Sequence, residues 1–382
     1  MMASAPLFGG MFLGGFECSS HRRRDLRRLD LLASTRHDQL AAADYAVLRR
    51  AGIATVRDGL RWHRIETAPG HYDWSSALPM LHAARDTGMG VIWDLCHYGW
   101  PDDLDVWSPA FVDRFARFAA AAARLIADET QGAAAFCPIN EISFMAWAGG
   151  EVGYMNPGAK RRGGALKQQL VRAAIAAIEA IRAVQPAARF LTAEPLIHVE
   201  SRGRQRRSAE AYRLSQFEAT DMLGGWRVPE LGGHPGLVDL VGVNFYPRNQ
   251  WFHKGTSIPL GDHAFRPLSD MLAEVHQRYG RPLMLAETGS EGSARAAWLH
   301  YVCDEVRIAQ RAGVPVGGIC LYPVVDYPGW DNNRPCQVGL LSQPAADGTR
   351  LLHLPLALEL RRQQALFGEG QHAPALLEDT LS

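Results

Sequence analysis

Eight strand-length apolar runs, with helix-length patterns between them, constrain this chain more than any other feature. The runs are MFLGGFEC, IATVRDG, GVIWDLC, AAAFCPIN, ARFLTAE, LVDLVGVNFY, PLMLAE and GGICLY. The helical stretches carry their own start and stop signals. DQLAAADYAVLRRAG opens on Asp38 and closes on Gly52, and GALKQQLVRAAIAAIEAIRAVQP is ended by Pro186. PAFVDRFARFAAAAARLIADE sets Phe111, Phe115, Phe118, Ala122 and Leu125 on one face at helical spacing. SSALPMLHAARDTG, PLSDMLAEVHQRYG and ARAAWLHYVCDEVRIAQRAG have similar patterns. Strand followed by helix, repeated, implies a parallel sheet with helices packed outside it. An open doubly wound sheet is the alternative, but FLGGFECSS after the first strand is not the G-x-G-x-x-G of a dinucleotide site. The pattern therefore predicts an α/β protein of one domain, a (β/α)8 TIM barrel over residues 1–365, with residues 366–382 as a C-terminal tail. The active site of such a barrel lies at the C-terminal ends of its strands.

Composition narrows the partners. Of 382 residues, 40 are Lys or Arg and 40 are Asp or Glu, so no basic excess favours nucleic acid or an anionic membrane. The runs HRRRDLRR and RGRQRR are short and read first as solvated faces. No apolar run approaches the roughly 20 residues of a membrane span. Cys18, Cys96, Cys137, Cys303, Cys320 and Cys336 form no C-x-x-C pair and no zinc spacing. Thinly spread cysteines and an N-terminus without a charged, signal-like start lead us to expect a cytoplasmic protein. The sequence leaves a homo-oligomer open.

The polar residues at the strand ends converge on one rim in a barrel. They are Glu17 after the first strand, Arg57 on the second, His97 after the third, and Asn140 and Glu141 after the fourth. Glu194 ends the fifth, Asn244 and Tyr246 the sixth, and Glu287 the seventh. Asp326, Trp330 and Asp331 follow the eighth. Carboxylates, an amide and aromatic faces together suit a carbohydrate. Two carboxylates suffice to cleave a glycosidic bond: one protonates the leaving oxygen, and the other attacks the anomeric carbon or activates water. Glu141 and Glu287 fit that pair, with Arg57 and Tyr246 as partners that keep a nucleophile ionised. A barrel that binds carbohydrate without cleaving it is a second reading, and a transglycosidase using the same residues is a third. No H-x-H pair follows the first strand, so neither a metal nor a cofactor is expected.

In order along the chain, these motifs resemble glycoside hydrolase family 1, the β-glucosidase-related members of the retaining (β/α)8 glycosidase clan. The matching segments are MFLGGFECSSHR, VRDGLRWHRIETAPGHYDW, LCHYGWP, INEISFMAWAGGEVGYMNPG, VGVNFYP and LAETGS. The resemblance implies a retaining β-glycosidase acting on small β-glycosides or oligosaccharides by double displacement. It makes Glu141 the acid/base and Glu287 the nucleophile, gives Asn140 the sugar 2-hydroxyl, and gives His97 other hydroxyls. The chain departs from the family at three places. Arg22, preceded by His21, stands where the family has a hydroxyl-binding glutamine. Gly329 precedes Trp330 where the family has a glutamate. Ile142 follows Glu141 where the family has proline. Glu17, Asp326 and Asp331 are the candidate replacement acceptors, and Arg22 raises the prospect of an acidic sugar. Glu194 is the rival to Glu141 for the acid.

Overall fold

The computed structural model describes residues 8–130 and 134–369. Eight parallel strands close a barrel: β1 Phe12–Gly15, β2 Thr55–Gly59, β3 Gly90–Cys96, β4 Ala135–Ile139, β5 Arg189–Pro195, β6 Leu240–Asn244, β7 Leu283–Thr288 and β8 Val316–Leu321. β1 shuts the ring, pairing with β8 through Leu13 and Cys320 and with β2 through Gly14 and Val56. Every apolar run picked from the sequence overlaps one of these strands.

Two layers of side chains explain why the runs are continuously apolar. Leu13, Ile92, Cys137, Leu191, Leu240, Met284 and Cys320 point inward and fill the barrel. The alternate residues face outward and meet the helices. Strands buried on both sides have no polar face to show. All six cysteines are free and buried. Cys137 and Cys320 serve as small hydrophobes inside the barrel.

The α-helices of six or more residues are α1 His37–Arg50, α2 Leu78–Thr87, α3 Pro109–Thr130, α4 Gly163–Val184, α5 Arg206–Leu214, α6 Glu218–Leu223, α7 Leu268–Tyr279, α8 Arg295–Arg311 and α9 Leu354–Leu366. α2 and α7 both stop on a left-handed glycine, Gly88 at φ +64° and Gly280 at φ +60°. The predicted face of α3 is as read, with Phe111, Phe115 and Phe118 packed on Trp62 at centroid distances of 5.6, 5.0 and 5.5 Å.

α5, α6 and α9 were not visible in the sequence. α5 lies in the arginine-rich segment, and α9 exposes Leu354, Leu358 and Leu366, which blurs its apolar period. Three short two-stranded sheets were also missed: Glu66–Ala68 with His71–Tyr72, His198–Glu200 with Gln250–Phe252, and Tyr327–Pro328 with Pro335–Cys336. All three follow the C-terminal ends of strands, so they build up the face where the site lies. Residues 366–369 fall in the segment assigned to the tail. Phe367 packs edge-on against Phe12 at 5.6 Å, and the Glu369 carboxylate accepts the Met11 N–H. The remainder, 370–382, lies outside the described residues. Among the described residues no helix is long and apolar enough to cross a membrane.

Candidate active site

The strand ends bring Glu287 and Glu141 into one buried network centred on Arg57. Arg57 is fully buried on β2, and its guanidinium is consumed by contacts from β3, β7 and the end of β4. Nη1 donates to Glu287 Oε1 at 3.2 Å and to the Ala286 carbonyl at 2.9 Å. Nη2 donates to Asp94 Oδ2 at 2.6 Å and to Asn140 Oδ1 at 3.0 Å. The other oxygen of Glu287 accepts from the Tyr246 hydroxyl at 2.9 Å. This carboxylate therefore receives one charged and one neutral donor.

The surroundings of Glu141 differ. Oε1 accepts from Asn244 Nδ2 at 2.9 Å, and Oε2 accepts from the Tyr98 hydroxyl at 2.5 Å. No cation donates to it. Burial raises its pKa, Tyr98 and Asn244 pull it down, and the charge of Glu194 raises it again. Burial and then the charge of Glu141 push Glu287 up to about 7, against Arg57. The guanidinium contact favours the charged form of Glu287, and among the described residues Glu141 has no such contact.

Backbone conformation aims both Glu141 and Tyr98. Each has a left-handed conformation, with φ of +46° and +71°. Such angles cost a side-chain-bearing residue about 1–2 kcal/mol. The Glu141 N–H donates to the Ala193 carbonyl of β5 at 2.8 Å, which pins the turn. Gly15, at the end of β1, leaves room for the Tyr322 ring. A Cβ on Gly15 would lie 2.1 Å from Tyr322 Cδ2. Tyr322 in turn stacks on His97 at 6.1 Å and lies 5.5 Å from the Arg57 guanidinium.

His97 completes the support. Its Nδ1 is 3.0 Å from Asp94 Oδ2, and its Nε2 is 3.1 Å from Asn140 Nδ2 and 3.9 Å from Glu17 Oε1. Burial lowers its pKa, but Asp94, Glu17 and Glu287 outweigh that and raise it. Cys18 sits 3.2 Å from His97 Nδ1, so Cys18, Asp94 and His97 form a tight trio of metal-ligand types. Asp94 already neutralises Arg57 with both oxygens, and burial pushes the Cys18 thiol well above its usual range. The trio fits a hydrogen-bonded support for Arg57 better than a cation site.

Some buried polar atoms in this region have no partner within the protein: Trp330 Nε1, Tyr322 Oη, Asn244 Oδ1 and His21 Nδ1. Buried polar atoms are rarely left unpaired, so these four stand out. Trp330 stands edge-on to His21 at 4.7 Å and to Tyr98 at 5.7 Å.

Solved structures share this architecture. A β-glycosidase from Thermosphaera aggregans matches with TM-score 0.76 and 17% identity, covering 98% of this chain and 99% of that one. A β-glucosidase from Thermotoga maritima in complex with deoxynojirimycin matches at 0.74 and 13%, covering 96% and 99%. The AHE enzyme from Alicyclobacillus herbarius matches at 0.77 and 16%, covering 96% and 100%. This chain shares the (β/α)8 barrel fold of these proteins. No family model matches its sequence, and no curated protein does so at a significant level. The likeness read from the motifs thus extends over the full architecture while the sequence has diverged.

Within this barrel fold the structure corrects several sequence expectations. Arg22 does not reach the site. Its guanidinium is held by Asp102 and by the Leu26 carbonyl at 2.7 Å. Asp326 accepts the Gly339 N–H at 2.7 Å, and exposed Asp331 accepts from the Tyr154 hydroxyl at 2.7 Å, so neither replaces the missing grip. Of the three candidate acceptors only Glu17 lies beside the network, buried and bonded to the Ser19 N–H at 3.0 Å. Asn244 is bonded to Glu141. Glu194 accepts from the Ser143 N–H at 3.0 Å and from the Ile142 N–H, and it is pushed up to about 7 by burial against those bonds. A proline at 142 would have no N–H to give. Ile142 therefore goes with Glu194, which anchors the turn that carries Glu141. Sequence reasoning missed Tyr98, Tyr322 and Asp94. Tyr98 and Asp94 stood in the quoted segments GVIWDLC and LCHYGWP, and Tyr322 ended GGICLY.

Proposed function

We propose that this protein is a retaining, exo-acting β-glycosidase of the family 1 type, working on small β-glycosides or oligosaccharides with Glu141 as acid/base and Glu287 as nucleophile. The observation that carries this reading is the unequal solvation of the two carboxyls. Glu287 is bonded to the Arg57 guanidinium and the Tyr246 hydroxyl. Glu141 has neutral donors and a carboxylate neighbour.

In the first step the Glu287 carboxylate attacks the anomeric carbon and forms a glycosyl ester. Glu141 gives its proton to the glycosidic oxygen, and the leaving group departs as an alcohol. Glu141, now ionised, takes a proton from water. The oxygen of that water attacks the anomeric carbon, and Glu287 leaves as a carboxylate. Asn140, His97, Glu17 and Trp330 line the sugar side of this pair. The orphaned indole N–H of Trp330 and the Tyr322 hydroxyl are donors for ring hydroxyls.

The test is Glu141→Ala on a panel of nitrophenyl glycosides that includes uronic, deoxy and phosphorylated sugars. Substrates with activated leaving groups should be rescued by azide, giving the glycosyl azide. Unchanged activity without azide, and no rescue, would remove Glu141 from the acid/base role.

A further inference from the structure

The Tyr98 hydroxyl takes up bonding positions on Asn140 and Glu141 at once. Both N–H groups of the Asn140 amide are spent, one on His97 Nε2 at 3.1 Å and one on the Tyr98 hydroxyl at 3.1 Å, and its Oδ1 accepts from Arg57 at 3.0 Å. Glu141 has a donor on each oxygen, Asn244 on Oε1 and the Tyr98 hydroxyl on Oε2. The phenol therefore accepts from the amide and donates to the carboxyl. A sugar hydroxyl is likewise one donor and an acceptor, so it can make the same pair of bonds. The two hydroxyls cannot make that pair together.

The ring lies deep. Tyr98 is 1% exposed, with His97 at 4.7 Å, Phe144 and Trp330 each at 5.7 Å and His21 at 6.0 Å between ring centroids. A cleft of about 670 Å³ is lined by Glu141, Phe144 and Tyr246, but its walls do not include Glu287, Asn140, His97 or Trp330. The cleft thus meets Glu141 and stops short of Glu287.

The backbone on both sides of Tyr98 is held. Asn156 Nδ2 donates to the Tyr98 carbonyl at 3.1 Å, and the Ser20 N–H donates to the His97 carbonyl at 3.2 Å. Gly99 packs so tightly on Ser20 that a Cβ there would lie 2.4 Å from the Ser20 carbonyl oxygen. Movement is left to the side chain, by rotation about its Cα–Cβ bond. Among the ring neighbours His21 and His97 are buried, while Phe144 and Trp330 are half-buried, so the way out is on their side.

We propose that Tyr98 is a gate on the sugar pocket. Its phenol holds the place of a sugar hydroxyl between Asn140 and Glu141, and a glycoside binds only after the ring turns toward Phe144 and Trp330 and gives up both bonds. The ligand named here rests on the glycosidase reading above. The fraction of molecules with the ring turned scales the affinity for every glycone alike.

Tyr98→Phe keeps the ring and removes both bonds of the closed arrangement. It is compared with the unmodified full chain on each nitrophenyl glycoside that the panel shows to be turned over, on the plateau of the pH profile. KM should fall by about tenfold, the scale of one hydrogen bond to a charged group, and by the same factor for every glycone. The phenol has left the pocket when bonds change, so kcat should stay as it is. A KM that rises or does not move, a fall confined to one glycone, or a lower kcat would overturn the gate. A readout free of turnover places 3-fluorotyrosine at position 98. Fluorine relaxation dispersion should show exchange between a buried major state and a minor state with the shift of fluorotyrosine in water. A single line without exchange would overturn the gate whatever the protein cleaves. Should no glycoside be cleaved, the glycosidase reading fails, and the fluorine signal still decides whether the ring moves.

Discussion

The Tyr98 hydroxyl donates to Glu141 Oε2 at 2.5 Å and accepts from Asn140 Nδ2 at 3.1 Å. Asn140 Oδ1 accepts from Arg57, which also holds Glu287. One chain of donors thus runs from the guanidinium through the amide and the phenol to Glu141, and each bond polarises the next. Burial holds the phenol well above its usual pKa, so it stays protonated and keeps donating.

Tyr98→Phe removes a bond that favours ionised Glu141. The acid should then keep its proton to higher pH. The alkaline limb of the kcat/KM profile should move up by about one pH unit, the effect of one hydrogen bond to a charged group. A profile that falls in height with its limbs in place would show that Tyr98 only fills space.

Glu194→Gln should act in the opposite direction. Glu194 raises the pKa of Glu141 through its charge while its oxygen accepts from the Ser143 N–H. Glutamine keeps an acceptor for that N–H and removes the charge. The alkaline limb should move down, by less than about one pH unit. An upward shift would mean that Glu194 acts on Glu141 through something other than its charge.

A second buried charge cluster makes a prediction about stability. His37 is fully buried, stacked on Phe16 at 3.5 Å, with Nδ1 2.7 Å from Asp44 and Nε2 2.8 Å from Asp58. Burial pulls its pKa down, but Asp58 and Asp44 outweigh it and raise the group from 6.5 to about 9. A raised folded-state pKa stabilises the fold fully below the unfolded value, and that stabilisation is lost as pH climbs through the folded value. The protein should lose on the order of 3 kcal/mol between pH 6.5 and pH 9 or just above. Denaturant titrations across that window should show the loss in the unmodified protein and much less of it in His37→Gln. A flat profile in the unmodified protein would contradict the charged imidazole.

The strands were legible because each is buried on both sides and so reads as an unbroken apolar run. The site was legible in part, because Arg57, Asn140, Glu141, Tyr246 and Glu287 must follow their strands wherever the barrel places them. What stayed hidden was direction. Arg22 sits in the right segment, but it turns outward to Asp102, a residue 80 positions away. Asp326 and Asp331 are spent on local contacts that no spacing reveals. Tyr98 reaches Glu141 from a backbone with positive φ, and nothing in LCHYGWP announces that angle. Ile142 looked like the loss of a family proline, and the structure gives its N–H a partner in Glu194.

The most direct measurement is covalent trapping. The protein is incubated with a 2-deoxy-2-fluoro glycoside of the best sugar from the panel, digested, and its labelled peptide sequenced by mass spectrometry. The account predicts one equivalent of fluoroglycosyl ester on Glu287 in PLMLAETGS, absent in Glu287→Gln. An ester on Glu141 or Glu194, or turnover of the natural linkage with inversion and no ester, would contradict it.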